Sequence, residues 1–353
     1  MEPEAFCRRS RVLVVAGKGG VGKTTVAAAL ARLAADCGLS VLVVALDDSG
    51  GLARLFGEPG AVSYDDTVVY RSPSAGALAT EPELAPEPEL APEHGRDGAP
   101  DPAHAGEVRC RVITPDEALP EYLEDHGLRR VAKRLVSTGV LDVVATAIPG
   151  IREILVLGKV KQLERSGDAD FILLDAPAAG HAVSFLMSAL GLMDAARSGP
   201  LRTQALEVVE MLRDPERFQV LLVSLPEETP VNELVETAFR FEDEVGVALG
   251  PVVVNCCYPT LSFLDADVAA AAAAAGEDPP SDELAARLSA AAGFRASRQE
   301  LQEAQIARLA AELPLPELRL PYQFTADLGP EALGRLVDAL RESIELLPAE
   351  VVE

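Results

Sequence analysis

The sequence feature that most constrains the fold is a glycine-rich segment at residues 16–25, which reads AGKGGVGKTT. It contains the spacing G-x-x-x-x-G-K-[ST], which is typical of a loop that cradles phosphate groups. A short apolar run at 11–16 predicts a buried strand before it, and an alanine-rich run at 24–38 predicts a helix after it. A second apolar run at 40–46 predicts another buried strand, which completes a right-handed βαβ unit. This context favours a phosphate-binding loop over a glycine-rich turn without a ligand.

The residue types of this loop fit the chemistry of a nucleoside triphosphate. Glycines allow positive φ angles and close approach of the backbone, and successive N–H groups form a nest for anions where the helix begins. Lys23 is predicted to reach the β- and γ-phosphate oxygens, and the Thr24 hydroxyl is predicted to bind Mg²⁺. The residues predicted to bind ATP in this loop are Gly17, Lys18, Gly19, Gly20, Val21, Gly22, Lys23, Thr24 and Thr25.

Two aspartates follow predicted strands at the edge where the phosphates are expected. Asp175 ends the apolar stretch FILLD and is predicted to bind Mg²⁺ together with Thr24. Asp47 follows the second predicted strand and is placed to face the γ-phosphate. For each aspartate, a helix N-cap is the alternative role. Further along the segment DAPAAGH, the Gly180 N–H is placed to contact a γ-phosphate, and His181 either relays movement of this loop or is structural.

Beyond the first βαβ unit, apolar strand-like runs continue to alternate with helical stretches. Strands are predicted at 11–16, 40–46, 109–113, 170–177, 218–228, 250–257 and 317–323. Helices are predicted at 24–38, 116–166 (broken at 148–150), 182–213, 230–245, 266–312 and 331–346. This order predicts an α/β fold: a mainly parallel P-loop sheet of about seven strands with helices on both faces. The helices at 116–166 and 182–213 are predicted to form a helical cap on the side where the loops gather.

An acidic segment at about 71–108 interrupts this pattern. It is rich in proline, alanine and glutamate and contains the unit EPELAP twice. Such a composition buries too little apolar area to offset the entropy of ordering the chain. We therefore predict one domain over residues 1–353 that carries a disordered insert in a surface loop. A neutral spacer is favoured over a partner-docking segment.

The overall charge and the cysteines limit the partners that the sequence predicts. The formal net charge is −25, which repels nucleic acids and anionic lipid headgroups. No apolar run reaches the ~18–20 residues needed to cross a bilayer, and the N-terminal residues lack a signal-peptide layout. None of the five cysteines forms a CxxC pair. We expect a cytoplasmic protein with no nucleic-acid partner and no direct membrane anchor.

Five motifs together carry a resemblance to a known family. GKGGVGKTT is the deviant Walker A motif of the P-loop group that includes the MinD/ParA ATPases. Within that group, the sequence resembles the ArsA-like family of arsenical-pump and tail-anchored protein targeting ATPases. The motifs that are similar are GKGGVGKTT at 17–25, DAPAAGH at 175–181, VLLVSLPEETPVNE at 220–233, VVVN at 252–255 and LPLPELRL at 313–320.

The resemblance implies an assembly and further residue roles. It implies a nucleotide-sandwich dimer in which Lys18 crosses the interface and contacts the phosphates of the partner subunit. It also implies that Asp47 activates water in the first switch, that Asn255 contacts adenine, and that 313–320 forms an adenine loop.

The sequence departs from the family pattern in the first switch. Where the family usually has DPAHN, this sequence has DDSGG at 47–51, so Gly51 replaces the asparagine. The metalloid-binding cysteines of the arsenite pumps and the CxxC zinc pair of the targeting ATPases have no counterparts. We expect an ATPase that binds and hydrolyses Mg·ATP as a nucleotide-switched dimer, with turnover slowed by the altered switch.

The dimer partner remains open between a second copy of this chain and a paralogous ATPase, and a membrane protein or other client is a further possible partner. The alternative function is a low-turnover, nucleotide-gated binding subunit that pairs with an active paralogous ATPase.

Overall fold

The described part of the chain leaves out two long internal segments and several shorter stretches. The computed structural model describes residues 1–46, 50–60, 62–73, 104–118, 121, 150–195 and 198–348. Asp47, most of the acidic insert and most of the stretch 119–149 lie outside these residues.

The described residues form a single eight-stranded sheet. Its strands are β1 (Val12–Gly17), β2 (Val41–Ala45), β3 (Thr67–Arg71), β4 (Glu107–Val112), β5 (Phe171–Ala178), β6 (Phe218–Ser224), β7 (Ala248–Cys257) and β8 (Glu317–Pro321). They lie in the order β3-β4-β2-β5-β1-β6-β7-β8. Every neighbouring pair is parallel except β3 with β4. The predicted mainly parallel sheet is confirmed, with one strand more than expected.

The additional strand is β3, at the edge of the sheet. In TVVYR, Val69 is the one buried residue, so the segment lacks the continuous apolar run that marks the central strands. Its pairing with β4 also corrects the bounds of the predicted insert at 71–108. Arg71 belongs to β3 and Glu107 belongs to β4, and their side chains form an ion pair at 2.6 Å. The described ends of the insert are thus paired strands, and disorder between them remains a prediction.

Helices cover both faces of the sheet, as predicted. One face carries α1 (Pro3–Cys7), α2 (Lys23–Asp36), α3 (Gly51–Leu55) and, at the end of the described chain, α10 (Pro330–Glu345). The other face carries α4 (Ile151–Ser166), α5 (Ala179–Ala195), α6 (Pro200–Arg213) and α7 (Glu228–Arg240). The central strands are therefore buried on both sides, which explains why their sequences are continuously apolar.

The strands show this two-sided burial residue by residue. Val12 and Val14 of β1 pack into the core beneath α4 to α7, whereas Leu13 and Val15 pack into the core beneath α2 and α10. The described parts of the predicted helical cap pack against the sheet. α4, α5 and α6 each contribute buried apolar side chains to the core on one face. Most of the predicted stretch before α4 lies outside the described residues.

Two helices extend the chain between β7 and β8. They are α8 (Val268–Ala275) and the 31-residue α9 (Asp282–Glu312). α8 has no buried residue, and α9 reaches the core near its C-terminal end through Ile306 and Leu309. Among the helices in the described ranges, none has both the length and the hydrophobicity of a membrane span.

Candidate nucleotide-binding site

The glycine-rich loop connects the carboxyl end of β1 to the first turn of α2. Gly20 and Gly22 have φ angles of 86° and 90°, which glycine adopts without strain. A Cβ on Gly22 would lie 2.4 Å from Nδ2 of Asn255, and a Cβ on Gly17 would lie 2.3 Å from the carbonyl oxygen of Val223. The loop is therefore packed tightly against β6 and β7 and has no room for larger side chains at these two positions.

The opposite side of the loop is open. A Cβ added to Gly19 or Gly20 would meet no atom of the described residues within 4 Å. Phosphate groups need such a space, where backbone N–H groups can approach them directly ahead of a helix N-terminus. One side of the loop is thus packed against β6 and β7 and the other side is open, as phosphate binding requires.

The two lysines of the loop have different partners. The Lys23 ammonium donates a hydrogen bond to the Lys18 carbonyl oxygen at 3.3 Å, so its side chain folds back over the loop. The Lys18 ammonium extends away from the loop and forms an ion pair with Oε1 of Glu233 on α7 at 2.5 Å. Lys23 therefore lies within the cradle, whereas Lys18 leads out of it.

The predicted metal ligands lie next to each other. The Thr24 hydroxyl donates a hydrogen bond to Oδ2 of Asp175 at 2.6 Å. The contact follows from the topology, because β5 pairs with β1 and places Asp175 opposite Val15. A hydroxyl and a carboxylate are hard oxygen donors of the kind that Mg²⁺ prefers. The two side chains fit a site for Mg²⁺ at the edge of the phosphate cradle.

The second-switch segment also lies beside the loop. Ala178 at the end of β5 pairs with Gly17, and α5 begins at Ala179 without an intervening loop. Gly180 and His181 are exposed in the first turn of this helix. This position keeps Gly180 close to the phosphate cradle. Asp47, the aspartate of the first switch in this chain, lies outside the described residues.

Asn255 is buried at the end of β7 and holds the loop from behind. Its Nδ2 donates a hydrogen bond to the Val21 carbonyl at 2.9 Å, and its Oδ1 accepts one from the Cys256 N–H at 2.9 Å. These bonds join the phosphate loop to the strand that leads to the next cavity. The family resemblance implies an adenine contact for Asn255, and the sequence gives no sign of this bracing role, which depends on residues 234 positions apart.

We expect the change Asn255→Ala to lower the free energy of unfolding of the nucleotide-free protein by about 1–3 kcal/mol, because it leaves buried backbone groups unsatisfied. Urea denaturation measures this loss. Asn232→Ala is the matched control, since Asn232 is an exposed residue of α7. Equal stabilities of the two variants would show that Asn255 does not brace the loop.

A cavity of about 250 Å³ adjoins the loop on the side of β7 and β8. It is the space in the described residues that best suits the nucleoside part of a nucleotide, because it continues directly from the phosphate cradle. Its lining consists of Gly20, Val21, Gly22, Thr25, Asn255, Cys256, Pro321, Tyr322, Gln323, Thr325, Leu328 and Leu336.

The predicted adenine loop at 313–320 precedes the segment that lines this cavity. The motif at 313–320 contributes no residue to the cavity, and the segment that follows it, 321–328, contributes five. Tyr322 makes edge contacts with the rings of Tyr258 and Phe324, whose centroids lie 5.2 and 4.8 Å from its own. The two aromatic residues in YQF, at the end of the strand predicted at 317–323, are the signal that could have indicated this segment.

The vicinal cysteines are not arranged for metal chemistry. Burial raises the pKa of the Cys256 thiol and raises that of Cys257 to about 11. Both thiols are therefore protonated at neutral pH and behave as small apolar side chains. Over the described ranges, no group of three or more His, Cys, Asp or Glu side chains could hold a metal ion.

A mainly parallel sheet, a G-x-x-x-x-G-K-T loop between β1 and α2, and a threonine–aspartate pair at the sheet edge define a P-loop nucleotide-binding protein. The family model described as the CobQ/CobB/MinD/ParA nucleotide binding domain matches residues 12–352, and the chain belongs to this family.

Curated relatives narrow the family further. The chain is 28% identical to the ATPase BagA of Mycobacterium tuberculosis over 330 residues, which cover 88% of this chain and 87% of that protein. It is 27% identical over 230 residues to the arsenical pump-driving ATPase of Escherichia coli, covering 63% of this chain and 30% of the relative. It is 24% identical over 289 residues to the ATPase GET3B of Arabidopsis thaliana, covering 72% and 66%. The resemblance to the ArsA-like family is thus confirmed, and by homology the chain is a P-loop ATPase of that family.

Proposed function

We propose that this protein binds and hydrolyses Mg·ATP as a dimer that closes and opens with its nucleotide. The observation that carries the proposal is the divergence of the two lysines in the loop. Lys23 covers the phosphate cradle of its own subunit, and Lys18 extends outward from the same loop. Since Lys23 already lies in the cradle of its own subunit, the second cation is free of that task and is available for the nucleotide of a neighbouring subunit.

The proposed chemistry is mainly positioning and charge stabilisation. Lys23 turns from the Lys18 carbonyl to the β- and γ-phosphates, where its charge offsets the negative charge that develops during phosphoryl transfer. Thr24 and Asp175 hold Mg²⁺, which when bound neutralises phosphate charge. We assign Asp47 to orienting the attacking water and Gly180 to sensing the γ-phosphate.

Lys18 is assigned to the nucleotide of the neighbouring subunit. Its exposed side chain supports this role, because 35% of its surface remains accessible despite the ion pair with Glu233. The neighbour is either a second copy or a paralogous ATPase. We assign the cavity beside Asn255 to adenine, and the expectation of a cytoplasmic location remains part of this proposal.

A second candidate function follows from the altered first switch. Gly51 is the last residue of the switch segment at 47–51, where the family usually has asparagine. It is also the first residue of α3. A protein that binds ATP but turns it over slowly would act as a gated binding subunit beside an active paralogue. Some relatives are named as arsenical pump-driving ATPases. For this chain, a role in ion transport and a role in protein targeting are both proposals.

The test combines calorimetry with sedimentation velocity. We expect one ATP per subunit to bind with Mg²⁺, and we expect the monomer to convert to a dimer with ATP but not with ADP. Phosphate release by the lone protein favours the ATPase, whereas release that requires a paralogue favours the gated subunit. Absence of Mg·ATP binding would overturn both.

A further inference from the structure

The ion pair between Lys18 and Glu233 joins the phosphate loop to α7. It links two residues 215 positions apart, with Nζ and Oε1 separated by 2.5 Å. The Lys18 and Glu233 side chains are 35% and 44% exposed. The pair therefore lies at the surface beside the open side of the loop, where solvent and a second protein can both reach it.

Glu233 is presented by a rigid support. The neighbouring residues Val231 and Leu234 are buried in the core that α7 shares with α5 and the sheet. The Glu233 carbonyl also accepts a hydrogen bond from the Thr237 hydroxyl at 2.6 Å, within the same helix. Because buried residues anchor the helix on both sides of Glu233, the backbone at this position is held in place and keeps the carboxylate within reach of the loop.

The ion pair competes with the proposed role of Lys18. The Glu233 carboxylate, 2.5 Å from the Lys18 ammonium, offsets the charge that a phosphate of another subunit would otherwise attract and holds the side chain towards α7. Both partners are anions, so the nucleotide of the neighbour would replace the Glu233 carboxylate as the counter-ion of Lys18. The other lysine of the loop, Lys23, stays on its own loop, where its ammonium donates a hydrogen bond to the Lys18 carbonyl oxygen.

We propose that Glu233 is a positioning residue that holds Lys18 in the resting subunit and releases it to the phosphates of the partner's nucleotide. This inference rests on the proposed dimer. Closure then exchanges one ion pair per subunit for a lysine–phosphate contact, and loss of the γ-phosphate lets Glu233 recapture Lys18. Glu233 thereby raises the ATP concentration at which the dimer closes and favours its opening after hydrolysis.

The variant Glu233→Gln tests the role of the carboxylate at nearly constant shape. Since exposed ion pairs are individually weak, we expect the ATP concentration at half-maximal dimerisation to fall about two- to fivefold. We expect KM to fall by a similar factor while kcat does not rise. Sedimentation velocity over an ATP titration and steady-state phosphate release measure these quantities in the full-length protein.

Two further variants separate this role from a general charge effect. Glu236→Gln removes the same charge from an exposed position three residues further along α7, and its ATP midpoint should match the wild type. Glu233→Asp keeps the charge on a shorter side chain and should lie between the wild type and Glu233→Gln. Equal midpoints for Glu233→Gln and Glu236→Gln, or a higher midpoint for Glu233→Gln, would overturn the inference.

A nucleotide-free measurement separates this inference from the dimer proposal. The rate at which an amine-reactive reagent labels Lys18, followed by peptide mass spectrometry, should be higher in Glu233→Gln than in the wild type. Equal labelling rates would sink the inference even if ATP dimerises the protein. If the wild type and all three variants stay monomeric with Mg·ATP, the proposed dimer itself fails, and the exchange built on it fails with it.

Discussion

Replacing Lys23 with alanine is expected to reduce ATP turnover at least about 100-fold, because the cation nearest the transferred phosphate is lost. The nucleotide affinity should fall as well, since Lys23 lies in the cradle in every step of the proposed cycle. Phosphate release under saturating Mg·ATP measures the first effect and calorimetry the second.

The matched control for this variant is Lys159→Ala. Lys159 lies on α4, on the face of the sheet opposite to α2, where it pairs with Glu121. We expect that variant to turn over ATP like the wild type. Turnover within a fewfold of the wild type for Lys23→Ala would remove this lysine from the catalytic assignment.

Replacing Lys18 with alanine is expected to give a different pattern. The variant keeps Lys23, Thr24 and Asp175, so each isolated subunit should still bind Mg·ATP with an affinity close to the wild type. It loses the cation that reaches the neighbour, so ATP should no longer drive dimerisation, and turnover should fall about 100-fold. Calorimetry and sedimentation velocity on the same preparation distinguish the two effects.

The outcome that contradicts this expectation is equally specific. If Lys18→Ala forms dimers with ATP and turns over normally, the lysine has no cross-subunit role. If it loses nucleotide binding as completely as Lys23→Ala, then Lys18 serves its own cradle, and the divergence of the two side chains has another cause.

The sequence predicts the central part of the fold well because burial there is uniform. β1, β2 and the first four residues of β5 lie between layers of helices, so each reads as an unbroken apolar run. The phosphate loop is predictable for a related reason, since its glycines are required by contacts and φ angles that few other residues can satisfy.

The remaining features depend on tertiary contacts that leave little trace in the local sequence. β3 has a single buried residue and depends on pairing with β4 across the acidic insert. The face that a helix covers is decided by chain topology, so the packing of α4 to α6 against the sheet could not be read from their own sequences. The partners of Lys18 and Asn255 lie more than 200 positions away, so neither contact could be predicted from the residues around them.

The central claim is that Lys18 acts on the nucleotide of the other subunit, and mixing two inactive variants tests it most directly. In a mixed dimer, the Lys18→Ala subunit supplies Lys23 and its partner, Lys23→Ala, supplies Lys18. One of the two sites is then complete. With equal amounts, at protein and ATP concentrations where sedimentation velocity shows mixed dimers, the mixture should recover activity that neither variant has alone, up to about a quarter of wild-type turnover when pairing is random. A mixture no more active than either variant alone would contradict the account, because both lysines would then be needed in the same subunit.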